Sequence, residues 1–106
     1  MNILFDQGVP VPLRRFLHPH TVDTAAERGW SQLRNGDLLN QAESQGYDLF
    51  VTTDKNLRYQ QNLTARKIGV LVLSTTSWPR IKQHVETLRG SLEAMAVNGY
   101  EEVTIP

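Results

Sequence analysis

The chain contains no cysteine, which excludes a disulfide framework, a thiolate zinc site and a thiol nucleophile, and fits a reducing compartment. It has no net charge either: 11 Lys and Arg stand against 11 Asp and Glu. An overall basic nucleic-acid-binding domain is thereby excluded, and any such role must rest on where the charges lie. No apolar run approaches the ~20 residues needed to span a bilayer. The opening Met1-Asn2-Ile3-Leu4-Phe5-Asp6 has no basic segment ahead of its apolar residues, so it does not read as an export signal. A cytoplasmic protein without a membrane partner is expected. Gly-rich phosphate loops and a Ser-His-Asp arrangement in recognisable context are also missing. ATPase, dehydrogenase and serine hydrolase chemistries drop out.

What remains suits a single domain over 1–106: 106 residues, 40% of them hydrophobic, are enough to bury a core without a metal or disulfide staple. Ile3-Leu4-Phe5 predicts a buried strand over 2–5, ended by Asp6-Gln7-Gly8. Pro10 and Pro12 suit a first helical turn, and Leu13, Phe16 and Leu17 share one face of a short helix. His20-Thr21-Val22-Asp23-Thr24 reads as a second strand. Asn35 is a candidate N-cap for a helix over 36–45, with Gly46 as its left-handed stop. Residues 48–52 and 68–73 read as strands whose apolar residues run on without alternation, in the manner of central parallel strands. Ser77 and Pro79 open a last helix carrying Ile81, Val85, Leu88, Leu92 and Met95 at helical spacing, closed by Asn98-Gly99. Residues 102–105 offer an edge strand. The alternation predicts an α/β three-layer sandwich with a mostly parallel sheet of four or five strands and helices on both faces. Right-handed crossovers are expected, with the chemistry outside the carboxyl ends of the strands.

Two of the clearest strands end in acids. The first runs into Asp6 and the third runs through Thr52-Thr53 into Asp54, so both acids belong to one edge of the sheet. Asp37 lies in the first turn of the mid-chain helix, where the dipole favours negative charge. Three converging carboxylates repel unless a cation compensates, and hard oxygen ligands without Cys select Mg²⁺ or Mn²⁺. The same acids also suit loop caps and a dipole-complementing first turn, and the pattern alone leaves both readings open.

The segments Ile3-Leu4-Phe5-Asp6-Gln7-Gly8-Val9-Pro10, Asn35-Gly36-Asp37-Leu38-Leu39 and Leu49-Phe50-Val51-Thr52-Thr53-Asp54-Lys55-Asn56-Leu57 carry a resemblance over nearly the whole chain. In order and spacing they resemble the PIN-like family of small bacterial and archaeal proteins, close to the toxin halves of toxin-antitoxin pairs. The resemblance implies a Mg²⁺- or Mn²⁺-dependent endoribonuclease with Asp6, Asp37 and Asp54 as acidic ligands and the Thr52 hydroxyl supporting the site. It also implies a cognate antitoxin and a homodimer. Two positions depart from the pattern. Relatives often carry an acid where this chain has Gln7, and many have a fourth carboxylate near Asn56. Asn56 can still offer its carbonyl to a metal or hold a coordinated water, but it adds no negative charge.

A nuclease needs positive charge around its acids. Residues 1–68 hold eight Lys and Arg against seven Asp and Glu, and only four acids remain once Asp6, Asp37 and Asp54 are set aside; residues 69–106 hold three against four. Arg14, Lys55 and Arg58 are the candidate phosphate contacts, and Tyr59 could stack a base of single-stranded RNA. The bland alternative is that these residues solvate helix faces. His18 and His20, separated by Pro19, read as loop residues and not as a zinc pair. His84 reads as packed or partly exposed, and Trp78 as a possible dimer contact. Two other functions stay open: a PIN-like module that binds RNA or a partner protein without turnover, and a phosphoacceptor domain. The second lacks the Lys expected after a later strand, since Leu73 is followed by Ser74-Thr75-Thr76.

Overall fold

Apolar runs four or five residues long can bury both faces only inside a sheet covered on each side, and the chain folds that way. A computed structural model describes residues 1–60, 62–63, 66–95 and 99–106, with the side chains of Asn35, Arg58 and Gln60 outside that description. The strands β1 (Asn2–Phe5), β2 (Thr21–Thr24), β3 (Leu49–Thr52), β4 (Gly69–Leu73) and β5 (Tyr100–Val103) form one sheet in the order β2-β1-β3-β4-β5. Every pairing is parallel. The order reverses between β1 and β3, which makes their carboxyl ends the switch point of a doubly wound sheet.

Alternate strand residues feed two cores. Ile3, Phe5, Leu49, Val51, Leu71, Leu73 and Val103 face one way and pack on a 3-10 helix over Val11–Leu17 and on helices α3 (Trp78–Gln83) and α4 (Val85–Ala94). Leu4, Phe50, Val70 and Val72 face the other way onto α1 (Asn35–Ser44) and the single turn α2 (Leu57–Gln60). This is the expected three-layer α/β sandwich. No helix among the described residues is long and apolar enough to cross a membrane.

Local chemistry explains most of the boundaries. Gly46 stands at φ +85° directly after α1, and the N–H groups of Gln45, Gly46 and Tyr47 return to Gln41, Glu43 and Ala42 carbonyls, the left-handed stop that glycine supplies cheaply. The Ser77 hydroxyl accepts from the Arg80 N–H at 3.4 Å and opens α3. Three expectations are corrected. Arg34, in extended backbone, occupies the N-cap of α1, and Asn35 is its first residue. The first helix is 3-10, burying Leu13 and Leu17 while Phe16 stays partly exposed against Trp78 at 5.7 Å between ring centroids. The last helix breaks at His84, whose φ −123° and ψ 25° leave the helical region. Ile81, Val85, Leu88 and Leu92 still reach one core, so the apolar stripe carried no sign of the break. The helix also stops earlier than the expected Asn98-Gly99, at Ala94, with Met95 already in extended backbone; Asn98 itself lies outside the described residues.

The crossovers do not all share one hand. The β1-to-β2 connection passes over the face of the 3-10 helix, and the β4-to-β5 connection passes over the same face while moving in the opposite direction along the sheet. The connections through α1 and α2 use the other face. The β4-to-β5 crossover is therefore opposite in hand to the other three, against the usual rule. Its helices cover Leu71 and Leu73, which a seven-residue 3-10 helix over β1 and β2 leaves bare.

Phe50 lies at the centre of the second core, so Phe50→Ala should cost about 3–5 kcal/mol, read as a lower urea midpoint. That is a large share of the ~5–15 kcal/mol typical of a domain. Tyr47 gives a pH signature. Its hydroxyl donates to Asp23 Oδ2 at 2.6 Å, beneath an Arg28 guanidinium lying over both Trp30 and Tyr47. Burial first, then the Asp23 carboxylate, push the phenol up to about 12 from 10.0. The folded chain keeps this proton longer than the unfolded chain, so its stabilisation is whole below about pH 10 and is lost as pH rises through about 12. Tyr47→Phe should flatten that part of the alkaline decline in denaturation midpoint.

Candidate functional site at the carboxyl edge of the sheet

Thr52 closes β3 and is fully buried, a position where a hydroxyl must be hydrogen-bonded or pay its full desolvation. It is bonded twice. Its Oγ1 donates to Asp6 Oδ2 at 2.8 Å and accepts from the Asp54 N–H at 3.1 Å. The Asp6 N–H donates to the Val51 carbonyl at 2.9 Å, continuing the β1–β3 ladder one residue beyond the strand. Asp6 Oδ1 accepts from the Gln7 N–H at 2.8 Å. One buried side chain thus joins the two strand-end acid loops across the switch point.

Asp54 turns its own chain. Its Oδ1 accepts from the Asn56 N–H at 2.9 Å and its carbonyl from the Leu57 N–H at 3.3 Å, so the carboxylate caps the turn that begins α2. Gly8 lies against the same loop: a Cβ there would overlap the Thr53 hydroxyl, so the β1 loop approaches β3 closely because position 8 has no side chain.

The expected site residues divide. The Thr52 hydroxyl links the Asp6 carboxylate to the Asp54 backbone N–H, and Asn56 stands in the turn that the Asp54 carboxylate caps. Asp37 is in the first turn of α1 and exposed. Among the described residues, no group of three or more His, Asp or Glu side chains stands ready to hold a metal ion. Arg14 is engaged: its Nη2 lies 3.0 Å from Glu27 Oε1. The Arg14 hydrogen bond, aided by the Thr24 N–H, holds the Glu27 carboxyl below its ordinary range. Lys55 and Tyr59 are exposed, Tyr59 at 72%. The Arg58 side chain lies outside the described residues. His20 takes the N-terminal amine on Nδ1 at 3.0 Å and meets Glu93 Oε1 through Nε2 at 2.9 Å, so both ring nitrogens are engaged.

Sequence reading missed the work of Gln7. Its Nε2 donates to the Ser31 carbonyl at 2.9 Å, tying the Asp6 loop to the segment that leads into α1. A carboxylate at this position could not donate to that carbonyl. A recess of about 140 Å³ beside Asp6 is lined by Gln7, Val9, Val11, Thr24, Ala25 and Ala26.

The comparisons with known proteins place no relative beside this arrangement: no family model, no curated protein and no solved structure matches the chain. The chain is a three-layer α/β domain on an all-parallel five-stranded sheet.

Removing the Thr52 hydroxyl at constant shape tests the junction. Thr52→Val should cost about 1–3 kcal/mol by stranding the Asp54 N–H and releasing Asp6, whereas Thr52→Ser should recover most of it, both measured by chemical denaturation.

Proposed function

We propose that the Asp6–Thr52–Asp54 edge is the centre of a Mg²⁺- or Mn²⁺-dependent endoribonuclease of PIN-like type. The single observation that carries this reading is the buried Thr52 hydroxyl shared between Asp6 and the Asp54 backbone at the switch point. The donors are all hard oxygens, which suits either cation. Mg²⁺ is commonly held by one or two carboxylates together with substrate phosphate and water, so a ready-made cage of three acids is not required. Asp6 and Asp54 are the primary ligands in this scheme, with Asn56 and Asp37 in supporting positions. When bound, such a cation supplies charge neutralisation at the phosphate and an acidified water.

The chain's own residues do the remainder. Thr52 fixes the rotamer of Asp6, so the carboxylate meets its ligand without reorganising. Lys55, exposed and directly after Asp54, brings a positive charge to the acid loop, and Tyr59 offers an exposed ring for base stacking. Arg14 contributes once its pairing with Glu27 is exchanged for phosphate. An antitoxin partner and a homodimer belong to the same proposal, through the resemblance; the exposed Phe16 ring beside Trp78 offers an apolar contact for either.

The second reading, RNA or protein binding without turnover, is favoured by one observation: both Asp6 oxygens and Asp54 Oδ1 already accept hydrogen bonds from the protein. Cleavage of a fluorescent single-stranded RNA separates the two. The nuclease should be stimulated by Mn²⁺ and silenced by chelator, and Asp6→Asn or Asp54→Asn should lower its rate by on the order of 10²–10³. RNA binding without products, indifferent to chelator, would establish the second reading instead.

A further inference from the structure

A larger cleft, of about 200 Å³, opens on the same sheet edge at the ends of β4 and β5, lined by Lys55, Val72, Ser74, Glu102, Val103 and Thr104. Two of its walls are fixed. Ser74 Oγ accepts from the Ile105 N–H at 2.7 Å, which pins the chain leaving β5. Glu102, level with Val72 in the β4–β5 register, is steadied by the Tyr100 hydroxyl, which donates to its Oε1 at 2.8 Å. Lys55 is the residue directly after Asp54, so the cleft and the acid centre share a loop. Sheet strands lie ~4.8 Å apart, and the cleft is therefore a neighbour of the acids and not a remote pocket.

A carboxylate lining a phosphate site would repel its ligand, so the cleft is poorly suited to a second phosphate. Its combination of one oriented carboxylate, apolar valines and a cation at one side suits the edge of a nucleobase whose own phosphate lies outside. Guanine alone among the four RNA bases presents two adjacent donors, N1–H and the 2-amino group, on its Watson–Crick edge. Adenine, cytosine and uracil each turn at least one acceptor towards a carboxylate placed there. Single-stranded RNA is read on such edges once its bases are splayed.

We infer that this cleft is a guanine-reading subsite: Glu102 accepts from N1–H and the 2-amino group, and Lys55 holds the adjoining phosphate next to Asp54. The inference rests on the RNA-cleaving reading and deepens it, since it sets the base beside which the strand is cut.

The four ribonucleoside 5′-monophosphates, titrated by calorimetry or NMR shift mapping without added metal, test it. Guanosine monophosphate should bind at least about fivefold tighter than the other three, the lower bound for a good bidentate base contact. Inosine monophosphate, lacking the 2-amino group, should lose most of that margin on the unaltered protein. Glu102→Gln, at an exposed position, should erase the preference, while Lys55→Ala should weaken all four nucleotides alike. Equal affinity for the four, no binding to any, or a guanine preference that survives Glu102→Gln would overturn the inference. RNA cleavage with no guanine preference would sink the subsite and leave the nuclease standing. Guanine-selective binding by a chain that cuts no RNA would sink the nuclease reading, and with it the assignment of a cutting position.

Discussion

A sheet buried on both faces leaves polar groups almost no place except the ends of its strands, and this constraint governs the molecule. β1, β3 and β4 are walled by apolar side chains above and below. Thr52 is the polar residue of these three strands that enters the interior, and it does so at the last position of β3. Its hydroxyl is satisfied because two loops are in reach, and the loops are held because the hydroxyl needs them. The orientation of Asp6 and the path to Asp54 follow from that mutual requirement.

Around this junction the charges sort into those consumed by architecture and those presented to solvent. Glu27 illustrates the first kind, exchanging hydrogen bonds with Thr24 in a reciprocal cap and pairing with Arg14. Arg28 is spent on the Trp30 and Tyr47 rings, and Arg66 reaches Asn40 and Glu43. The cationic surplus counted in residues 1–68 is thus smaller on the surface than in the sequence. Lys55 belongs to the second kind, and its place in the cleft gives it more weight than its neighbours in any account of ligand binding.

Much of the architecture could be read directly from residue order. Continuous apolar runs announced β1, β3 and β4, Gly46 announced the stop of α1, and the residues after those runs announced that Asp6 and Asp54 would lie on one edge of the sheet. The break at His84 was invisible because both halves of the helix present their apolar residues to one core, and periodicity reports a face and not a kink. The Gln7–Ser31 and Arg14–Glu27 pairings were equally hidden, since they join residues 24 and 13 positions apart and depend on how loops settle after the sheet forms. The side of the sheet over which the last crossover travels was illegible for a related reason: coverage of Leu71 and Leu73 is a property of the whole layer.

The position of β1 between β2 and β3 bears on how the polypeptide emerges during synthesis. Every strand-borne residue of the acid junction is made by position 54, so β2, β1 and β3 can align while the remainder is still being translated. Until β4 arrives, however, β3 is an unpaired outer strand with apolar side chains on both surfaces, a template for pairing with a neighbouring nascent chain. The quick return from β3 to β4 shortens that exposure, and β5, whose Glu101 and Glu102 side chains are exposed, finally supplies a charged border.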